Sequence, residues 1–154
     1  MAIAVLGLIP NPTVQATYNP PPSRPDLGSD VTIFTGTVEC VFKGAAGEVN
    51  RDTLSFNLRD PNNELTDLRV DIDGFRGSAA SIALASVAFD GTVSGALWAV
   101  DEASAELVSL DAGTGTASVG VTANLAVRGA AGVILRVTYT VFVRTHPGQI
   151  VVIP

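Results

Sequence analysis

The chain has one cysteine, Cys40, and one histidine, His146, and this scarcity removes several kinds of chemistry at once. A lone thiol closes no internal disulfide, and two residues of these types are too few for a structural zinc site. A Ser/His/Asp triad needs an imidazole held beside the nucleophile. His146 follows the last strongly alternating segment and precedes Pro147-Gly148, so it reads as an exposed tail residue and not as a braced base. Cys40 shares an apolar phase with Val38 and Phe42, which predicts a buried, inert thiol. Positive charge is also sparse. Nine basic residues stand against fifteen acidic ones, for a formal charge of -6, and no segment concentrates Lys or Arg. Neither phosphate-driven nucleic-acid binding nor an acidic membrane surface has a basis in such a chain.

Long apolar runs and helical patterns are missing as well. No segment approaches the ~20 residues of a transmembrane helix, and no amphipathic helix exceeds two turns, so a βαβ crossover and a parallel sheet are excluded. Gly113-Thr114-Gly115 begins like a dinucleotide-binding motif. Ser118 occupies the third glycine position, however, and no helix follows to meet a phosphate. This stretch reads as a hairpin turn, and no cofactor is implied. Aromatics are few: Trp98 and two tyrosines make a thin supply of stacking platforms for a sugar, and Trp98 reads first as a core residue.

Six of the nine prolines, Pro10, Pro12, Pro20, Pro21, Pro22 and Pro25, fall near the N-terminus. Proline fixes extended geometry and removes backbone donors. Residues 1–30 are therefore expected to form an extended Pro-rich arm, residues 31–145 a β domain, and residues 146–154 an apolar tail. The run Met1 to Pro10 lacks a basic n-region, since the first positive side chain is Arg24. The expectation is synthesis in the cytoplasm without a signal peptide.

From Val31 onward the pattern changes to period two, the signature of half-buried strands. Leu54, Phe56 and Leu58 alternate with Thr53, Ser55, Asn57 and Arg59, and Leu68, Val70 and Ile72 alternate with Asp67, Arg69, Asp71 and Asp73. Residues 117–128 and 133–144 alternate without a break and are rich in β-branched residues. Further strands are expected over 31–43, 80–89, 93–100 and 105–111, with a short helical turn over 101–107 as the alternative there. Asp60-Pro61-Asn62-Asn63, Asp73-Gly74, Asp90-Gly91 and Gly129-Ala130-Ala131-Gly132 supply the turns. About eight strands result. They fit an all-β antiparallel sandwich of jelly-roll type or, as the alternative, a closed eight-stranded barrel.

Two finer expectations concern connectivity. The loop between residues 128 and 133 is short and glycine-flanked, which predicts that strands 117–128 and 133–144 pair as a central hairpin. Lys43-Gly44-Ala45-Ala46-Gly47 also recurs as Arg128-Gly129-Ala130-Ala131-Gly132. The same offset carries Phe34, Val38, Cys40 and Phe42 onto Val119, Ala123, Leu125 and Val127, so a duplicated hairpin is one possible cause.

The only group of residues with plausible metal chemistry is acidic. Asp60, Asn62, Glu64, Asp71 and Asp73 offer hard oxygen ligands for Ca²⁺. The spacing is not that of an EF-hand, and a solvated strand face with local charge pairing through Arg69 is the plainer reading. The apolar termini carry the strongest hint of function. Ile3, Val5, Leu6, Leu8 and Ile9 at one end and Ile150, Val151, Val152 and Ile153 at the other would each cost about 25 cal/mol per Å² if left in water. They are expected to be covered, by the chain's own sheets or by a neighbour. The leading expectation is a non-enzymatic structural subunit of a symmetric assembly, such as a virion surface or capsid-decoration protein. Its partner would be itself or a neighbouring shell or fibre protein, and its destination a virion or other extracellular assembly. The alternatives are a secreted or surface β-sandwich that binds glycan or calcium, and a small barrel that binds an apolar ligand or acts as a cofactor-free cyclase.

Overall fold

A computed structural model describes residues 3–10, 14–18, 29–42, 49–60, 63–88, 97–128 and 133–145. These residues form strands and turns, with no helix. In chain order the strands are β1 (Ile3–Pro10), β2 (Val14–Tyr18), β3 (Ser29–Phe42), β4 (Val49–Asn57), β5 (Arg59–Asp60) and β6 (Asn63–Asp67). They continue with β7 (Arg69–Asp71), β8 (Phe75–Ala88), β9 (Leu97–Asp111), β10 (Thr116–Arg128) and β11 (Val133–Thr145). The segment 101–107 lies within β9, so the helical alternative is not adopted.

All pairings are antiparallel. In the first sheet, β3 lies between β11 and the consecutive strands β1 and β2, and β8 lies beyond β11. In the second, β10 is flanked by β4 and β7 on one side and by β9 on the other. A separate short hairpin joins β5 to β6. The sheets are open and not closed into a barrel, so the sandwich is the architecture present. The barrel that would enclose an apolar ligand is set aside. The inward residues of both sheets form one cluster, with Val38, Cys40, Val137 and Val141 from the first sheet and Leu54, Val70, Val119, Val121 and Leu125 from the second.

Alternation explains which residues enter that core. On β3, Thr32, Phe34, Gly36, Val38 and Cys40 are buried, while Ile33, Thr35, Thr37 and Glu39 lie on the other face. A slip of one residue would exchange the two sets. Residues 3–10 and 14–18 of the expected arm form strands β1 and β2 of the first sheet. They run along the outer edge of β3 in the same chain, with Pro10 opposite Gly36 at the last position of β1. An edge strand tolerates the missing N–H donor of proline.

The expected hairpin of residues 117–128 with 133–144 is not formed. β10 pairs with β4, β7 and β9, whereas β11 pairs with β3 and β8. Period-two alternation reports which face is buried, not which strand lies alongside. Here two strands consecutive in sequence occupy the middles of opposite sheets and turn their apolar faces toward one core.

The repeated Gly-Ala-Ala-Gly segment makes sense in this light. β3 and β4, like β10 and β11, are consecutive strands in different sheets, so the repeated unit is a sheet-changing pair and not a hairpin. Under the exchange of β3 with β10 and β4 with β11, the pairing of Val38 with Val137 becomes that of Ala123 with Leu54. The pairing of Gly36 with Tyr139 becomes that of Val121 with Phe56. An irregularity repeats too. A bulge leaves Leu6 of β1 without a register partner where Glu39 meets Cys40, and another leaves Asp101 of β9 without one where Asn124 meets Leu125. Asn124 and Leu125 are the positions that correspond to Glu39 and Cys40. The corresponding aromatics Phe56 and Tyr139 meet in the core, with ring centroids 5.1 Å apart and planes tilted by 51°, an arrangement that favours the edge of one ring on the face of the other.

Gly36 makes room for this contact, since a Cβ there would lie 2.3 Å from the Tyr139 hydroxyl. Gly36→Ala should lower stability by about 1–3 kcal/mol through overpacking, read as a lower urea midpoint with an unchanged slope. An unchanged midpoint would mean that the ring is not held against Gly36. Val137→Asp should unfold the domain, because an unpaired carboxylate would enter a site that is fully buried. Thr138→Asp, on the exposed face of the same strand, should leave the far-UV circular dichroism of β structure intact.

Candidate functional site

The outer face of the second sheet carries a polar cleft of about 410 Å³, lined by Arg51, Asp52, Thr53, Asp101, Glu102, Asn124 and Leu125. Strand register assembles it. Thr53, Asn124 and Glu102 are direct cross-strand neighbours on β4, β10 and β9, and Arg51, Ala126 and Ala99 form the next row. The bulge at Asp101 brings a carboxylate within reach of Arg51, and the two form an ion pair. The small side chain of Ala126 between them leaves the space that this bridge spans. The Thr53 hydroxyl donates to Asn124 Oδ1 at 2.9 Å, and Asp52 Oδ1 accepts from the backbone N–H of Thr53 at 2.8 Å. The lining thus presents hydroxyl, amide, carboxylate and guanidinium groups, and it contains no imidazole or thiol. Chemistry of this kind suits hydrogen bonding to a polar ligand.

A second constellation lies at the β7 end of the same sheet. Arg69 Nε donates to Thr116 Oγ1 at 3.1 Å, Nη2 to the Thr116 carbonyl at 3.0 Å, and Nη1 to Ser118 Oγ at 3.0 Å and the Ser109 carbonyl at 3.1 Å. Ser109 has φ of 52°, in the sparsely populated left-handed region, beside the second register shift of β9. Its carbonyl is one of the guanidinium's acceptors. Arg69 therefore clips β7 and β9 to β10 and is not the local partner of Asp67, Asp71 and Asp73 that sequence proximity suggested. Asp67 accepts instead from Arg59 Nη1 and from Asn57 Nδ2, both at 2.7 Å.

The calcium candidates are distributed as follows. Asp60 is buried in β5, Asp71 lies on β7 opposite Thr116, and Asp71 Oδ1 accepts from the backbone of Asp73 at 3.0 Å within the turn. Glu64 belongs to β6, its side chain is outside the described residues, and Asn62 lies outside them entirely. Among the described residues, no group of three or more His, Cys, Asp or Glu is gathered at metal-binding distance. Of the expected contact residues, Ile3, Val5, Leu8 and Ile9 pair along β3 and Leu6 is the bulged residue of β1. Ile150, Val151, Val152, Ile153 and His146 lie outside the described residues, as does the side chain of Trp98. Gly113-Thr114-Gly115 sits in the β9–β10 turn, where Asp111 Oδ1 accepts from the Gly113 N–H at 2.9 Å and Gly115 takes φ of 66°. The Gly113 N–H, helped by Thr114, holds the Asp111 carboxyl below its ordinary range.

The outer face of the first sheet differs in character. Its rows run Ile33–Phe142–Ala79, Thr35–Thr140–Ser81 and Thr37–Thr138–Ala83 across β3, β11 and β8, with no charged residue among them. Phe142 is 38 % exposed. Beyond these rows Glu39 accepts from Arg136 Nε at 2.8 Å. No protein-family model matches the chain, and comparisons with curated proteins and with solved structures each find no significant match.

Burial, reinforced by the neighbouring Glu39 charge, pushes the Cys40 thiol up to about 11. At pH 8 only about one thiol in a thousand is then ionised. Iodoacetamide should leave the native chain unlabelled near pH 8 and label it fully in denaturant. Rapid native labelling would contradict the buried position.

Proposed function

We propose that this chain is a non-enzymatic structural subunit of a homo-oligomeric assembly, with a virion surface or capsid-decoration protein as its most concrete form. The observation that carries this reading is the uncharged outer face of the first sheet. A solvated face of an antiparallel sheet is ordinarily polar, and here its polar positions are hydroxyls with no charge among them. Here three successive rows across three strands are filled by Ile33, Phe142, Thr35, Thr140, Thr37, Thr138, Ser81 and two alanines, in a chain whose formal charge is -6. Apart from Ile33 and Phe142 these side chains are short, and uncharged groups cost less to desolvate than charged ones, which suits a packed contact. The apolar C-terminal sequence Ile150 to Ile153 points the same way, whereas the N-terminal run already pairs along β3 of its own chain.

A second reading, a surface β-sandwich that binds a glycan, draws on the cleft between Arg51 and Glu102. Its hydroxyl, amide and carboxylate groups match the hydrogen-bonding pattern of a polyol.

Light scattering coupled to size exclusion, run on the intact chain over a concentration series, separates the two readings. The assembly reading requires a mass that is a multiple of 15.8 kDa. A monomer at every concentration would remove it.

A further inference from the structure

We propose that the cleft on the outer face of the second sheet binds a neutral saccharide, with Asn124 and Glu102 holding two neighbouring hydroxyls of one sugar ring. This deepens the glycan reading and rests on it. Glu102, Asn124 and Thr53 stand in one row across β9, β10 and β4, and direct cross-strand neighbours have Cβ atoms about 5 Å apart. Hydrogen bonding inside the row fixes what it offers outward. A threonine hydroxyl has one proton, and that of Thr53 goes to Asn124 Oδ1 at 2.9 Å. The amide is oriented by this bond, with Nδ2 and its two protons turned away from Thr53. Among the described residues, neither Asn124 Nδ2 nor the Glu102 carboxylate has a partner within the fold, whereas Asp101 is already held by Arg51. The row therefore presents a free donor beside a free acceptor, both on exposed residues. The cleft they line, about 410 Å³, falls within the roughly 300–1,000 Å³ of small-molecule sites.

That pair of groups discriminates between classes of ligand. A phosphate or carboxylate group only accepts, and the cleft repels it, because Asp52, Asp101 and Glu102 outnumber Arg51 in the lining. An ammonium group only donates, so it would satisfy Glu102 and leave the Asn124 N–H groups facing other donors. A hydroxyl does both. One hydroxyl of a diol donates to the Glu102 carboxylate, a charged acceptor and hence a strong one, while its neighbour accepts from Asn124 Nδ2. The next row of the same face, Ser104, Thr122 and Ser55, consists of hydroxyls, so a second ring would meet groups of the same kind. The lining contains no aromatic side chain and the contact lacks ring stacking. A dissociation constant on the order of 1 mM is therefore expected.

The test follows the nuclear magnetic resonance spectrum of the intact, nitrogen-15-labelled chain during titration with glucose, galactose, mannose and N-acetylglucosamine, and with N-acetylneuraminic acid as the anionic probe. The side-chain amide signal of Asn124 is assigned by its loss in Asn124→Ala. At least one neutral sugar should move that signal along a saturating curve, and N-acetylneuraminic acid should leave it in place. Glu102→Ala and Asn124→Ala should each weaken binding at least about tenfold, the loss of a hydrogen bond in a charge-assisted pair. Ser81→Ala, on the other sheet, should leave binding unchanged. Circular dichroism verifies the fold, and if Asn124→Ala fails to fold, Glu102→Ala carries the comparison alone. A spectrum that no neutral sugar perturbs at about 50 mM, well above the expected constant, overturns both this site and the glycan reading. Sugar binding that survives both substitutions overturns the site alone. Equal binding of N-acetylneuraminic acid overturns the assignment to neutral ligands.

Discussion

The structure depends on the burial of two apolar faces against each other, because neither sheet can exist with its inward face in water. β10 and β11 each supply an uninterrupted inward row, Val119, Val121, Ala123 and Leu125 from one and Val137, Tyr139, Val141 and Val143 from the other. Each row needs the opposite sheet as its cover. The contact of Phe56 with Tyr139 stands at the centre of this arrangement, and Gly36 is the residue that makes space for the larger ring. Side chains of this size bury roughly 1.5–3 kcal/mol each, so a few of them exceed the net stability of an ordinary domain.

The strand pairing around that core has approximate two-fold symmetry. Corresponding strands, corresponding pairings and a repeated bulge give the two sheets a common plan, which leaves their outer faces as the place where they differ. One face carries a polar cleft around Arg51, Asp101 and Asn124. The other bears Thr35, Thr37, Thr138 and Thr140 beside Ile33 and Phe142, with Arg136, Glu39 and Arg144 in the flanking rows. Two neighbouring features are local consequences of the same plan. The bulge at Asp101 supplies the acid that Arg51 holds, and the later register shift of β9 brings the Ser109 carbonyl to Arg69.

Much of the fold was legible in the sequence because burial is written in period two. The strands over 31–43, 117–128 and 133–144, the buried position of Cys40 and the Gly113–Gly115 turn all follow from phase and turn chemistry. Partnership was not legible. The strands 117–128 and 133–144 look like a hairpin from their short connection, and nothing local distinguishes that from a change of sheet. The cleft was hidden for a similar reason, since Arg51 and Asp101 are 50 positions apart and Thr53 and Asn124 are 71 apart. Arg69 was misread through proximity. Acids two residues away on either side suggested charge pairing, whereas its partners Thr116 and Ser118 come from a strand 47 and 49 positions distant. The repeated Gly-Ala-Ala-Gly segment was the one sequence signal of long-range order, and its meaning depends on knowing which sheet each strand joins.

If one core holds both sheets, they must open together. Native-state hydrogen exchange followed by mass spectrometry measures this directly. The account predicts that the amides of β3 and β11 in the first sheet and of β4 and β10 in the second exchange with one common opening free energy, equal to that of global unfolding, while the edge strands β1 and β2 exchange sooner. Loss of protection in β3 and β11 at a distinctly lower free energy than in β4 and β10 would show that the sheets are separate cooperative units, and it would contradict the shared core.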